Sequence, residues 1–465
     1  MATVYPTATG NWSTRTWNDD STGAAYGPGT PQSGDTVLCN NTNITADVDV
    51  TVVEIANRAG TTAAAGGQFR VTANRTVTAN FVAAAVSLLN LTSTSITVTV
   101  NGNITGGSGS SQPAATTSAA SVALSINGNI TAGSASGAHG ITFASSGGTL
   151  TVSGNLLGGS GNGAYGANVT TGTIALTGNA TGGSVANAAG LLISATTGAN
   201  TVSGTVTGGT SAPGINKSGD SSLAITGNVV GATSQGLIHS AGVLTINGDV
   251  SATGSVQGIS FAGTTSIGTI TTTNPIVGSG SNGTISVASG QLRIVGDVTG
   301  GASSTYYGMT QSGGIIRIEG NVSGGSGANA RGIHRTSYGH LTVVGNVTGG
   351  GGSSAIGIYQ ANTAHSTTVI GNVTGGSAAD ASGIASASGV TLQNTNVVYG
   401  DVTGGTNASA YGIRNDGPGH YYVFGSTTAG TAAATTNTGS GSVDVVAVGG
   451  GGGSFPVIGP GVLVI

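Results

Sequence analysis

One motif, apolar-x-apolar-x-Gly-Asn/Asp-Val-Thr-Gly-Gly, returns again and again through the middle of this 465-residue chain. Its first glycine falls at Gly102, Gly128, Gly154, Gly178, Gly204, Gly227, Gly248, Gly296, Gly320, Gly345, Gly371 and Gly400, with a degenerate copy near Gly268. The span from 102 to 400 holds twelve steps of about 25 residues. A second motif, small-x-Gly-apolar, keeps phase with the first, at Gly140, Gly166, Gly190, Gly214, Gly236, Gly258, Gly308, Gly332, Gly357, Gly383 and Gly412, with Gly283 a weak copy. Two independent motifs sharing one period mean that the chain is a stack of equivalent units around one continuous core.

Within each unit, segments such as Leu150-Thr-Val-Ser-Gly-Asn155, Leu244-Thr-Ile-Asn-Gly-Asp249 and Leu341-Thr-Val-Val-Gly-Asn346 alternate apolar and polar residues and favour β-branched ones. That is a strand with one buried face. The Gly-Asn and Gly-Asp pairs that follow supply positive-φ positions for a tight corner. No segment carries a 3.6-residue period with helix caps. A unit of about 25 residues cannot bury its own apolar face, but stacked as one coil per repeat it can. The expected fold is therefore all-β: a single-stranded β-solenoid, or β-helix, of about 13 coils with an N-terminal aromatic cap region and an apolar C-terminal tail. The expected division is 1–95 as cap or attachment region, 96–430 as solenoid, and 431–465 as Gly-rich linker and tail.

Stacking turns repeated residues into columns. One holds Asn103, Asn129, Asn155, Asn179, Asn228, Asp249, Asp297, Asn321, Asn346, Asn372 and Asp401. Another holds Thr105, Thr131, Thr181, Thr207, Thr299, Thr348, Thr374 and Thr403. Both read as structural ladders in which side-chain amides and hydroxyls pair between coils.

Charged residues are 5% of the chain and the net charge is −4. Ten Lys and Arg over this length form no basic stripe, so nucleic acid is not an expected partner. Cys39 is the single cysteine and has no partner for an internal disulfide. The start, Met1-Ala-Thr-Val-Tyr-Pro6, has neither a basic nor an apolar leader region, and no stretch approaches the ~18 apolar residues of a membrane span, so no membrane association is expected.

Both tryptophans lie in Gly10-Asn-Trp-Ser-Thr-Arg-Thr-Trp17, followed by Pro31-Gln-Ser-Gly-Asp-Thr-Val37 and Ile44-Thr-Ala-Asp-Val-Asp-Val-Thr-Val52. This opening resembles the start of phage and bacterial β-helix proteins: tailspikes, tail fibres and head fibres. The resemblance covers about 50 residues of the chain and implies a Gly-x-Trp-Ser turn and a Gly-Asp-x-Val strand ahead of the coils. Physically, the first coil has an open edge, and Trp12 and Trp17 are expected to close it as a lid. At the other end, Gly449 to Gly453 precede an uncharged run, Phe455-Pro-Val-Ile-Gly-Pro-Gly-Val-Leu-Val-Ile465, which is expected to cap the last coil or pack on a neighbouring subunit.

Signals for catalysis are weak. No Ser/His/Asp spacing or metal-binding His/Cys cluster is present, and no cofactor or metal is expected. A depolymerase would need paired carboxylates. Asp249 and Asp297 share the Asn column two coils apart, and Glu319 with Arg317 reads as a cross-coil pair; none of these is expected to be catalytic. A different asymmetry stands out. Tyr306, Tyr307, Arg331, His334, Arg335, Tyr338, Tyr359, Tyr411, Arg414, His420, Tyr421 and Tyr422 all lie between residues 300 and 425. Several precede the glycine of the second motif and should form a lateral ridge. Aromatic faces with Arg and His donors suit a host-surface glycan or protein, and equally an interface between subunits.

The resemblance implies a virion structural protein, a rod that attaches the particle to a host surface without catalysis. The expected assembly is a homotrimer joined to other virion proteins through the N-terminal region or the tail. Release by lysis would place such a protein on the virion surface without a leader. The alternatives are a bacterial surface adhesin similar to autotransporter passengers, and an ice-binding solenoid, which needs two flat adjacent ranks of Thr.

Overall fold

The computed structural model describes residues 1–446 except 28, 63–64, 85, 109–111, 254–255, 279–282, 362–364 and 389–394. The expected Gly-rich linker and apolar tail thus lie, from 447 on, outside the described residues. The described chain is all-β, a parallel β-solenoid of about 15 turns rather than about thirteen.

Three ladders of parallel strands run along it. The long-strand ladder contains Thr97–Asn101, Ala123–Ile126, Val243–Asn247, Ile315–Glu319 and His420–Phe424; the short-strand ladder contains Ile104–Thr105, Ile130–Thr131 and Val347–Thr348. The third ladder contains Ala115–Thr117, Leu237–His239, Ile333–Arg335 and Ile358–Gln360. Each strand pairs with its equivalent one turn on, as Leu124 does with Leu150 and Ile333 with Ile358. Because alternate side chains point to opposite faces, one register fixes which residues enter the core. Val98, Val100, Ile104 and Ile141 are fully buried, and most later turns bury a residue at the same positions. The extra turns come from upstream. Ile44–Ala46, Phe69–Val71 and Leu89–Leu91 already stack in parallel, although they lack the Gly-Asn motif.

The corner glycines are required for two reasons. Gly296, Gly345 and Gly371 take up positive φ of 143°, 154° and 152°, as expected, whereas Gly128, Gly154 and Gly178 lie outside that region. A Cβ at Gly154 would instead sit 2.2 Å from the carbonyl oxygen of Gly128 in the preceding turn. The backbones of successive turns approach too closely for any side chain.

The Asn column beside them is a ladder, but not of amide–amide pairs. Along most of the column the side-chain Oδ1 accepts the backbone N–H of its equivalent one turn later: Asn103 from Asn129 at 2.8 Å, Asn129 from Asn155 at 2.9 Å, Asn346 from Asn372 at 2.9 Å. This satisfies an N–H that the corner removes from the strand ladder. Asp297 does the same for Asn321. The Thr column points outward from the short strands, with a hydroxyl pair recorded between Thr403 and Thr428 at 3.2 Å.

At the N-terminal end Trp12 and Trp17 are 4% and 1% exposed. Their rings meet edge to face at 4.9 Å, and Trp12 continues onto Phe69 at 6.0 Å, so the aromatic pair lies on the core of the first turns.

Candidate functional site

The residues grouped by composition between 300 and 425 divide by register. The corner before the third ladder places Tyr307, Arg331, Ile356, Ser382 and Tyr411 in one column. The outward position of that ladder pairs Thr310 with His334, His334 with Tyr359, and, two turns further, Ala385 with Arg414. Where these two columns adjoin, four side chains meet. The Arg331 guanidinium carbon lies 3.6 Å from the Tyr359 ring centre and 5.4 Å from that of Tyr307. His334 is 4.5 Å from Tyr307, edge to face, and 5.7 Å from Tyr359. All four are half-buried.

Electrostatically this cluster is a cation on an aromatic platform. Among the described residues Arg331 has no carboxylate partner, and its buried Nε makes no hydrogen bond. The neighbouring Thr310 Oγ1 is likewise buried without a partner. Burial, and then the positive charge of Arg331, hold His334 down at about 4, so its imidazole is neutral near pH 7. Arg331 itself is lowered by burial but stays charged, because a guanidinium does not deprotonate in proteins. The cluster therefore offers one unneutralised cation, a neutral imidazole and two phenol rings to a ligand approaching from the side. Arg414 differs: Asp380 at 3.4 Å and Asp416 at 3.1 Å already neutralise it.

The other candidates lie elsewhere. Arg335 and Tyr421 were expected on the surface, yet both are fully buried. The cause is alternation: with Ile333 pointing inward and His334 outward, Arg335 must turn in. Its guanidinium donates to Gln311 Oε1 (2.8 Å), Thr367 Oγ1 (2.7 Å) and the carbonyls of Gly339 (2.6 Å) and Ser366 (3.0 Å). Gln360 donates to Thr367 and Asn396 and accepts from the Tyr421 hydroxyl at 3.1 Å. These residues form a polar segment of core, inaccessible to a ligand. Tyr422 is exposed on the outer face of the long-strand ladder, beside Val397. Tyr338 is 61% exposed at the turn leading into that ladder, where it borders a small groove with Gly313, Gly314 and His340. His420, its Nδ1 2.9 Å from Ser442 Oγ, faces outward on the same ladder. Tyr306 and Tyr411 are half-buried at the corners.

The acidic residues considered for chemistry are all occupied. Asp249 accepts hydrogen bonds from Thr272, Thr273 and Asn274, which hold its carboxyl at about 2. Glu319 is held at about 2 by Arg293 and Arg317. Its cross-coil partner is Arg293, at 2.5 Å; Arg317 belongs to the same strand, two residues away and on the same face.

Thr310 was missed in the sequence. The missing signal was register: counting two residues on from the Gly308 corner places it next to His334. No protein-family model, curated protein or solved structure matches this chain.

Proposed function

We propose that this chain is a non-enzymatic attachment rod, of the kind found as fibres or spikes on bacteriophage particles. Its lateral cluster of Tyr307, Arg331, His334 and Tyr359 contacts a glycan or protein on the host surface. The observation that carries the reading is the guanidinium of Arg331, stacked on Tyr359 and left without a carboxylate. A desolvated Arg beside Tyr is the usual composition of a binding hot spot, and cation–π stacking keeps the group oriented before the ligand arrives. The rest of the molecule suits a support: a stack of turns in which each is held by backbone hydrogen bonds to both neighbours and which carries its patch on rigid strands.

The test is binding of purified full-length protein to intact bacterial cells and to their extracted surface polysaccharide. Arg331→Ala and Tyr359→Ala should each weaken binding about tenfold or more, while Arg414→Ala has a small effect. Unchanged binding in the Arg331→Ala/Tyr359→Ala double variant would overturn the assignment of the site. Breakdown of the polysaccharide by the wild-type protein would overturn its non-enzymatic character.

A further inference from the structure

The outermost column of the long-strand ladder changes character along the rod. In the first half it is polar: Asn101 and Asn127 are hydrogen-bonded side chain to side chain at 2.7 Å, and Asn247 leads on to Thr271. In the last five turns the same column reads Val344, Ile370, Tyr399, Phe424 and Val446, each paired to the next by register. Tyr399 and Phe424 stack at 5.2 Å, while Ile370 and Val446 are 46% and 45% exposed. Nothing in the core demands this change, since these side chains point away from it. A contiguous apolar strip on a largely polar face marks a contact surface.

We propose that this strip is covered by residues 455–465 of the same chain. The described part of the strip runs to Val446, and the uncharged apolar segment starts only nine positions later, after five consecutive glycines that permit a reversal. Four steps between turns make the strip ~19 Å long, and eleven extended residues reach ~36 Å, so the segment spans it with length to spare. Neither surface carries a charge. Only eight residues, 447–454, separate Val446 from the segment in sequence, so covering the strip from within the chain needs no second molecule.

Disulfide trapping in the full-length chain tests this, because Cys39 is buried and leaves introduced thiols as the reactive ones. Ile370→Cys is combined in turn with Val457→Cys and Leu463→Cys, and each double variant is mildly oxidised. The expected result is a disulfide within one chain for at least one pair, running as a 44.0 kDa species without reductant. A disulfide joining two chains, or none with either pair, overturns the proposal. As an independent readout, Phe455→Asp/Leu463→Asp in the full chain should raise the fluorescence of a dye specific for exposed apolar surface several-fold; no rise also overturns it.

Discussion

Acidification from pH 7.0 to 4.5 is expected to loosen the middle of the solenoid at His239. This imidazole is fully buried, stacks on Phe261 at 5.1 Å, and lies 3.2 Å from the Gly242 carbonyl through Nε2. Its Nδ1 is buried without a partner. Burial first, and the neighbouring Lys217 ammonium as a lesser cause, hold it down at about 4. The folded chain resists a proton that the unfolded chain accepts near 6.5, so stability is intact above that value and is lost as the pH falls towards 4. The difference between those two affinities amounts at pH 4.5 to about 2.5 kcal/mol. Lys217, held at about 8, is essentially protonated at both pH values and cancels from the comparison. Opening free energies from amide hydrogen exchange in Leu237–His239 and Ile259–Phe261 should fall by that amount. His239→Gln is the control. In the same column Gln311 Nε2 donates to the Gly314 carbonyl, three residues on, just as His239 contacts Gly242. A glutamine therefore keeps the hydrogen bond and removes the titration. If the variant and the wild type lose protection equally on acidification, the reasoning about His239 is refuted.

Other expectations follow from the corners, the lid and the polar core. Gly154→Ala pushes a methyl group into the Gly128 carbonyl and should destabilise by about 1–3 kcal/mol, read as a lower denaturation midpoint. Asn129→Ala removes the acceptor of the Asn155 N–H at an exposed corner where water can replace it, so the loss should be only about 0.5–1.5 kcal/mol. Trp17→Ala, at 1% exposure, should cost about 3–5 kcal/mol and release exchange protection first in Ile44–Ala46. Arg335→Met keeps the bulk but leaves the Gln311, Gly339 and Ser366 oxygens without their donor. It should destabilise the turns around Ile333–Arg335, and equal or greater protection there would show that relief of charge burial dominates.

The solenoid was legible because its signal is a phase shared by two motifs, and phase survives the loss of any single copy, as at Gly268. The turns between residues 36 and 95 were not legible, because they form their corners without Gly-Asn and are tied together by Phe69 and Phe81 instead. The candidate site was half legible. Counting Tyr and Arg between 300 and 425 found the stretch that holds the Arg331 cluster, but composition has no direction. Arg335 and His334 are neighbours in sequence and opposites in space. The alternation that made the strands recognisable also assigns each side chain to core or surface, and applying it residue by residue separates Arg331, His334 and Tyr359 from Arg335 and Tyr421.

A solenoid lets one chain hold different chemistries at one height without their interfering, because each turn presents its ladders to separate surroundings. Around Ile333–Ile358 the interior carries the buried Arg335 network, the corner carries the Arg331 platform, and the long-strand ladder begins its apolar strip at Val344. None of these requires the others, since the register that links turns is set by backbone hydrogen bonds and by the Gly and Asn columns. Substitutions at outward positions of one ladder should therefore add to those on another with little coupling. The interior differs. Gln311, Arg335, Gln360, Thr367 and Tyr421 are joined across several turns by hydrogen bonds, so changes there couple strongly. The Arg331 platform is thus free to vary on a surface whose position is fixed from beneath: Arg335 anchors the strand on which His334 points outward.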